Sequence, residues 1–240
     1  MTDTDLRFEA MYQAGDTLPW DIGGPQPVVT QLADEGRFTG AVLDVGCGLG
    51  GNALFLASRG LTVTGVDIAP RAVQLASERA EGADVTFAVA DVTELSGFDD
   101  RFDTVLDSAL YHCLSEQARL DCLVALHRVT RPGATLHIVC FSDRLPPSLP
   151  AGMRISEQNL RETVNDGWEI TDLAETLYST AQTLDELYTR VTTAQPDDDI
   201  PPDALDTLTT DDAGRVLLPA WRLSARRCGG TDPRPRRTPR

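Results

Sequence analysis

Lysine is missing from this 240-residue chain: all 21 basic residues are arginine, set against 37 Asp and Glu, for a formal net charge of −16. A surface so acidic repels polyphosphate, which argues against nucleic acid as a partner. Long apolar runs are missing too, with no window near 18 consecutive apolar residues, so no membrane-spanning helix is expected. The first residues, "MTDTDLRFEAMYQ", are acidic and lack the apolar core of a secretory signal. A soluble cytoplasmic protein is the expectation. Cysteine is sparse: Cys47, Cys113, Cys122, Cys140 and Cys228 form no C-x-x-C pair, and no histidine stands at metal-ligand spacing from them. Free thiols of a reducing compartment are expected, with no metal and no disulfide framework. The one basic cluster, "RRCGGTDPRPRRTPR", reads as a disordered tail over residues 227–240.

What is there alternates. "AVLDVG", "TVTGVDI", "VTFAVAD", "FDTVLD" and "ATLHIVCFS" read as strands. Between them "GNALFLASRG", "APRAVQLASERAEG" and "SEQARLDCLVALHRVTRPG" read as helices, the second with Pro70 in its first turn, the third capped by Ser115 and closed by Pro132 and Gly133. Strands alternating with helices of this length predict a parallel sheet covered on both faces. Residues 1–40 hold two short helical patterns around a Pro/Gly-rich loop with Trp20, and form a cap. After Ser142 come a helix, "ISEQNLRETVNDG", with Ser156 and Asn159 competing as its cap, and a strand, "WEITDLAETLY". A last strand, "GRVLLPAWRLSARR", carries Pro219, which predicts an edge or a bulge. The main domain is expected over 41–226, interrupted by a Thr- and Asp-rich insertion at about 178–215 that is a candidate lid.

Four glycines fall within residues 46–51, and they spell two overlapping codes. Gly46, Gly48 and Gly51 fit G-x-G-x-x-G, a dinucleotide pattern. Asp44, Gly46, Gly48 and Gly50 fit D-x-G-x-G-x-G. Both place a ligand at the carboxyl end of the first strand. Asp44 separates them, because a carboxylate opposes a pyrophosphate and favours a cation. S-adenosylmethionine has an ammonium and a sulfonium and no phosphate. Asp67, 21 residues after Gly46, suits ribose hydroxyls in either ligand. Asp91, after the third strand, suits an adenine amino group.

These residues resemble a class I S-adenosylmethionine-dependent methyltransferase over residues 42–141. Gly46-Cys47-Gly48-Leu49-Gly50 matches the cofactor loop, Asp67-Ile68 the ribose site, Asp91-Val92 the adenine site and "RPGATLHIV" the turn into strand five. The resemblance implies a Rossmann-like α/β fold with a mostly parallel seven-stranded sheet and helices on both faces. "LPWDIGGPQP" with "FDTVLDSALYHCL" is similar to small-molecule methyltransferases of the thiopurine, halide/thiol and mycobacterial heterocyclic-toxin type. That likeness implies a cap folded over the ligands, with Trp20 near the methionine end of the cofactor and Tyr12 facing the substrate.

Methyl transfer from a sulfonium needs proximity and dryness first, and a base only where the acceptor keeps its proton. At the end of strand four, Tyr111 and His112 are the candidate catalytic and substrate-binding residues, with His112 as base or orienter; Asp107 supports the cofactor. Cys47 is read as a space-filler in the loop, and His127 and His137 as structural. The N/D-P-P-Y of base and peptide amino methylation is absent, and the metal-binding acids of catechol-type enzymes are not recognisable. The expected function is methyl transfer to an O, N or S atom of a small aromatic or heterocyclic molecule. The alternatives are an NAD-dependent oxidoreductase, which Asp44 and Asp91 oppose, and a non-catalytic S-adenosylmethionine-binding protein.

Overall fold

The computed structural model describes residues 3–15, 17–196 and 199–229. Its centre is a sheet in the order β3-β2-β1-β4-β5-β8-β6, with a two-residue strand, β7, added to β8. The strands are β1 (Ala41–Val45), β2 (Thr62–Asp67), β3 (Val85–Val89), β4 (Phe102–Ser108), β5 (Thr130–Phe141), β6 (Trp168–Ser179), β7 (Thr209–Thr210) and β8 (Val216–Arg227). The first five run parallel, and β8 enters antiparallel between β5 and β6. Strand order reverses between β1 and β4, so the crevice at their carboxyl ends is where a ligand is expected.

The helices are α1 (Asp3–Ala14), α2 (Pro27–Asp34), α3 (Gly51–Ser58), α4 (Pro70–Arg79), α5 (Glu116–Val129), α6 (Glu157–Val164) and α7 (Leu184–Ala194). Local chemistry explains their starts. Pro70 opens α4; Ser115 caps α5 by accepting from Ala118 N–H, and Ser156, rather than Asn159, caps α6. Strand alternation splits the apolar residues into two cores. Leu43 and Val45 of β1 pack with α5 and α6, while Val42 packs with α2, α3 and α7. Helices therefore cover both faces. None among the described residues is long and apolar enough to cross a membrane.

Three details differ from the expectations. Pro219 lies in an interior strand, paired with Leu177 of β6. It is tolerated because its carbonyl accepts from Ser142 N–H, one residue past the last rung of β5. The nitrogen faces that same side, and the Ser142 carbonyl that a donor there would have met accepts instead from Leu145 N–H at 3.3 Å, so no acceptor is left unpaired. The segment 178–215 is also more integrated than a lid. Tyr178 and Ser179 finish β6, and Leu187, Val191, Leu205 and Leu208 are buried in the core of α2 and α3. Finally, Arg227 belongs to β8; the expected tail from residue 230 onward lies outside the described residues.

Candidate active site

Past β1 the chain turns through the glycine loop into α3. Gly48 has φ +54°, and a Cβ there would stand 3.0 Å from the Tyr12 hydroxyl; Gly50 has φ +79°, and a Cβ there would stand 2.6 Å from the Phe87 ring. Only glycine combines this backbone with such close neighbours. Gly46, at φ +65°, opens the same loop. Cys47 is pinned by its N–H to the Val66 carbonyl at 3.0 Å, and burial pushes its thiol well above the usual range. The cap closes over the loop. Tyr12 and Trp20 meet edge-on with centroids 6.0 Å apart, and Phe8 meets Trp20 at 5.6 Å. An Arg79–Asp21 ion pair at 2.9 Å and a bond from Arg71 N–H to Glu9 at 3.1 Å tie the cap to α4.

Three buried carboxylates converge on this edge. Asp44, 1% exposed, is the penultimate residue of β1 and takes a bond from the Ala53 N–H in the first turn of α3. Its other oxygen, Oδ2, has no hydrogen-bond partner among the described residues. Burial, with Asp107 and Asp67 adding repulsion, raises the Asp44 pKa to about 8. Asp107 is raised to about 7 by burial, although its Oδ1 accepts from Leu110 N–H at 3.0 Å and Tyr111 N–H at 3.1 Å. Asp67 is raised by burial, against the N–H groups of Ala69 and Gly48, each 2.9 Å from one of its oxygens. It thus holds the glycine loop in shape. Uncompensated buried carboxylates are costly unless a cation or a proton joins them.

The expected adenine end is more open. Asp91 is exposed, with Oδ1 accepting from Thr93 N–H at 2.8 Å and Thr93 Oγ at 2.6 Å. Ile68 is half-buried, and Val92 is buried in the core beneath.

On the other flank, β4 ends at Ser108, and the chain turns through Ala109 at φ +76° into a single 3₁₀ turn, Tyr111–Cys113. Successive side chains of such a turn diverge by about a third of a revolution, which separates the two candidate residues. Tyr111 points into the core of α5 and α6. Its hydroxyl bonds Asn159 at 3.2 Å, and the Arg119 guanidinium lies 5.1 Å from its ring centre. Burial raises its pKa to about 12, so it stays protonated. Expected at the acceptor, Tyr111 stands instead behind the site as support.

His112 is 4% exposed and stacks on Phe141, centroids 4.1 Å apart at 14°. Its Nδ1 accepts from the Phe141 N–H at 3.2 Å. Burial first, then Arg119, lowers its pKa to about 3. The ring is therefore neutral with its proton on Nε2. That is a hydrogen-bond donor; the one nitrogen able to take a proton is committed to the backbone. The base role expected for His112 has no free lone pair here, while the orienting role does have its N–H.

Four residues of this edge carried no role in the sequence reading: Phe87, Ser108, Phe141 and Tyr178. Tyr178 packs edge-on against Phe141 at 5.5 Å, and burial raises its pKa, keeping its hydroxyl protonated. Each of the last three ends a strand or stands one residue from its end, so the carboxyl-edge rule was the available signal.

With this geometry in hand, the comparisons with known proteins converge. Residues 42–133 match the model of the methyltransferase domain family. The chain is 38% identical over 178 residues to the 2-heptyl-1-hydroxyquinolin-4(1H)-one methyltransferase of Mycobacteroides abscessus, covering 72% of this chain and 78% of that one. A solved structure concerned with conversion of a disulfide bond into a thioacetal group during echinomycin biosynthesis matches at 31% identity and TM-score 0.76, over 95% and 93% of the two chains. A SAM-dependent methyltransferase from Anabaena variabilis shares the fold at 15% identity and TM-score 0.69, over 95% and 96%. A carboxylate-lined glycine loop in a fold of this order, and a curated relative matched over most of its length, lead to one conclusion: the chain belongs to the S-adenosylmethionine-dependent methyltransferases.

Proposed function

We propose that the protein transfers the methyl group of S-adenosylmethionine to a hydroxyl oxygen of a small hydroxylated heterocycle, of the hydroxyquinolone class named for its mycobacterial relative. The observation that carries the cofactor assignment is Asp44 Oδ2, a buried oxygen without a partner, backed by Asp107 and Asp67. Such a cluster opposes the pyrophosphate of NAD and suits an ammonium or sulfonium.

When bound, S-adenosylmethionine supplies a methyl group already activated on a sulfonium. The chain's residues divide the remaining work. Asp44 and Asp107 set a negative field for the cationic end; Asp67 and Asp91 stand at the ribose and adenine positions. Tyr12 and Trp20 roof the glycine loop and exclude water, which strengthens those electrostatics. Phe141, Tyr178 and His112 offer a flat apolar wall with a polar edge, matched to a ring bearing an oxygen. The partner is a small molecule.

Calorimetry with S-adenosylmethionine, its demethylated product and NAD tests the cofactor half. Turnover of labelled S-adenosylmethionine on hydroxyquinolones, phenols, thiols and halide tests the acceptor half. Binding of both methionine ligands without NAD, and methylation strongest on the hydroxylated heterocycles, is the expected result. NAD binding alone, or a preference for thiols or halide, removes the proposal.

A further inference from the structure

Asp44 Oδ2 is not the only buried polar atom at this edge without a partner. On the adjacent strand, Ser108 Oγ also has no hydrogen bond of normal length among the described residues, although the Tyr178 hydroxyl lies close enough to interact with it. Leaving a buried hydroxyl unsatisfied costs about 1–3 kcal/mol, so such an atom at a ligand crevice asks what completes it. Beside it lies the hydroxyl of Tyr178, which comes from β6 across β5 and β8. Its placement is held from the next residue. The Gln26 side chain grips both backbone groups of Ser179, donating from Nε2 to the carbonyl at 2.9 Å and accepting from the N–H at 3.1 Å. Phe141 braces the Tyr178 ring from the other side. Phe141 in turn stacks on His112, so Tyr178, Phe141 and His112 form one contiguous group.

We infer that Ser108 and Tyr178 form a hydroxyl pair that holds the reacting oxygen of the acceptor, and that this oxygen enters the reaction as an oxyanion. The inference rests on the function proposed above and names the ionised form of its substrate. The polar groups of this flank, Ser108 O–H, Tyr178 O–H and His112 Nε2–H, all donate. The nearest carboxylate, Asp107, has Oδ1 committed to two backbone N–H groups. Donors around an oxygen stabilise negative charge on it. The acceptor gives its proton to water on or before binding, ahead of methyl transfer. Its oxygen lone pair then forms the O–CH₃ bond as the C–S bond breaks, and that bond's electron pair passes to sulfur, leaving the neutral thioether. Methyl acceptors with an acidic ring hydroxyl are the class that fits.

The test uses Ser108→Ala and Tyr178→Phe in the full chain, each measured for melting temperature, cofactor Kd and acceptor kinetics. Ser108→Ala removes an unsatisfied atom, so its melting temperature should hold or rise, while kcat/KM falls about tenfold or more, the scale of a lost hydrogen bond to a charged group. Tyr178→Phe should fall similarly. Kd for S-adenosylmethionine should stay within about twofold in both. In the wild type, kcat/KM should rise with pH through the acceptor's own hydroxyl pKa, and the midpoint should move when a substituted acceptor of different acidity is used. Unchanged kcat/KM in both variants overturns the pair, as does a loss explained by weaker cofactor binding or by a destabilised Ser108→Ala. A midpoint that ignores the acceptor's pKa overturns the oxyanion. Failure of the underlying reading looks different: the wild type itself would bind S-adenosylmethionine and methylate no hydroxylated acceptor, which would overturn both.

Discussion

The crevice between β1 and β4 has two flanks that burial treats in opposite ways. On the cofactor flank Asp44, Asp67 and Asp107 are buried, and each is pushed toward its neutral form. On the acceptor flank His112 is buried as deeply and is also pushed neutral, to a pKa of about 3. One physical cause, loss of water around a charge, gives two outcomes. A carboxylate close to neutrality at pH 7 awaits a cation that restores its charge. A histidine held neutral becomes a fixed donor and ceases to be a proton carrier. On the proposed function the flanks suit different partners, a cationic cofactor and an electron-rich acceptor, although Asp107 and His112 stand only a few residues apart in β4 and its turn.

The largest effect expected from breaking this contrast comes from Asp44→Asn. Removing one partner of a buried charge pair costs roughly 2–5 kcal/mol, so S-adenosylmethionine should bind roughly 30-fold to several-thousand-fold more weakly by calorimetry. The ligand-free protein should melt higher at pH 7, because folding no longer has to neutralise a buried carboxylate that is ionised when unfolded. A variant with unchanged affinity would mean that the cation is neutralised elsewhere.

Titration sharpens the same contrast. The folded-state pKa values of Asp44 and Asp107, about 8 and about 7, lie above the ordinary value of 3.8. Without ligand, stability is full below pH 4, where both states are protonated, and declines as pH rises toward 8, where ionisation is resisted only in the folded state. Cation binding runs the other way, since it favours the ionised pair. Affinity for S-adenosylmethionine should rise between pH 6 and 8, by up to about tenfold per pH unit for each proton released. Calorimetry at pH 7 in two buffers of different ionisation enthalpy should show that release. A flat affinity profile with no proton release would place both carboxylates in the ionised state before binding.

The cofactor flank was largely legible in the sequence, because everything it needs is local. A strand, its penultimate Asp44, a glycine loop and a helix are consecutive, and Asp67 closes a neighbouring strand with its carboxylate on the loop backbone. The acceptor flank was not. Tyr178 reaches the crevice through the antiparallel pairing of β6 on β8 and β8 on β5, and a one-residue change of register would turn its side chain to the other face. No nearby residue announces that register. Tyr111 and His112 are adjacent, yet the 3₁₀ turn sends one toward α5 and α6 and the other onto Phe141, and nothing in their residue types separates them. The Pro219 reading missed for a similar reason: an interior strand tolerates proline where its partner strand happens to end.

A smaller effect separates the two nitrogens of His112. Asparagine keeps an acceptor near the Nδ1 position and loses the distal N–H; glutamine keeps a distal N–H and loses the near acceptor. With a donor role, His112→Asn should stay close to wild-type stability and lose about tenfold in kcat, since a hydrogen bond to a charged group is worth about 1.5–3 kcal/mol and water recovers part of it. The loss should be the same at pH 7 and pH 9. His112→Gln should be less stable, with the Phe141 N–H left unsatisfied, and more active than the asparagine variant. A loss of 10²-fold or more that shrinks as pH rises would restore the base role, on the scale of a positioned general base.

The smallest effect joins the flanks. Ala109 lies between Asp107 and His112 in the left-handed region, at φ +76°, where a Cβ is strained. Its N–H donates to the Val139 carbonyl at 2.8 Å, and its carbonyl accepts from the Cys113 thiol at 3.5 Å, so the surroundings hold the turn in place. Ala109→Gly removes the strain, which is of order 1–3 kcal/mol, and adds freedom to the unfolded chain, which takes back about 0.4–1 kcal/mol. A net gain near 1 kcal/mol in denaturant unfolding is the expected result, with cofactor Kd and kcat within about twofold of wild type. The turn would then be a strained connector and nothing more. If stability rises while kcat falls tenfold, the strained alanine is what holds the His112 turn at a fixed distance from the carboxylates, and the two flanks are mechanically one unit.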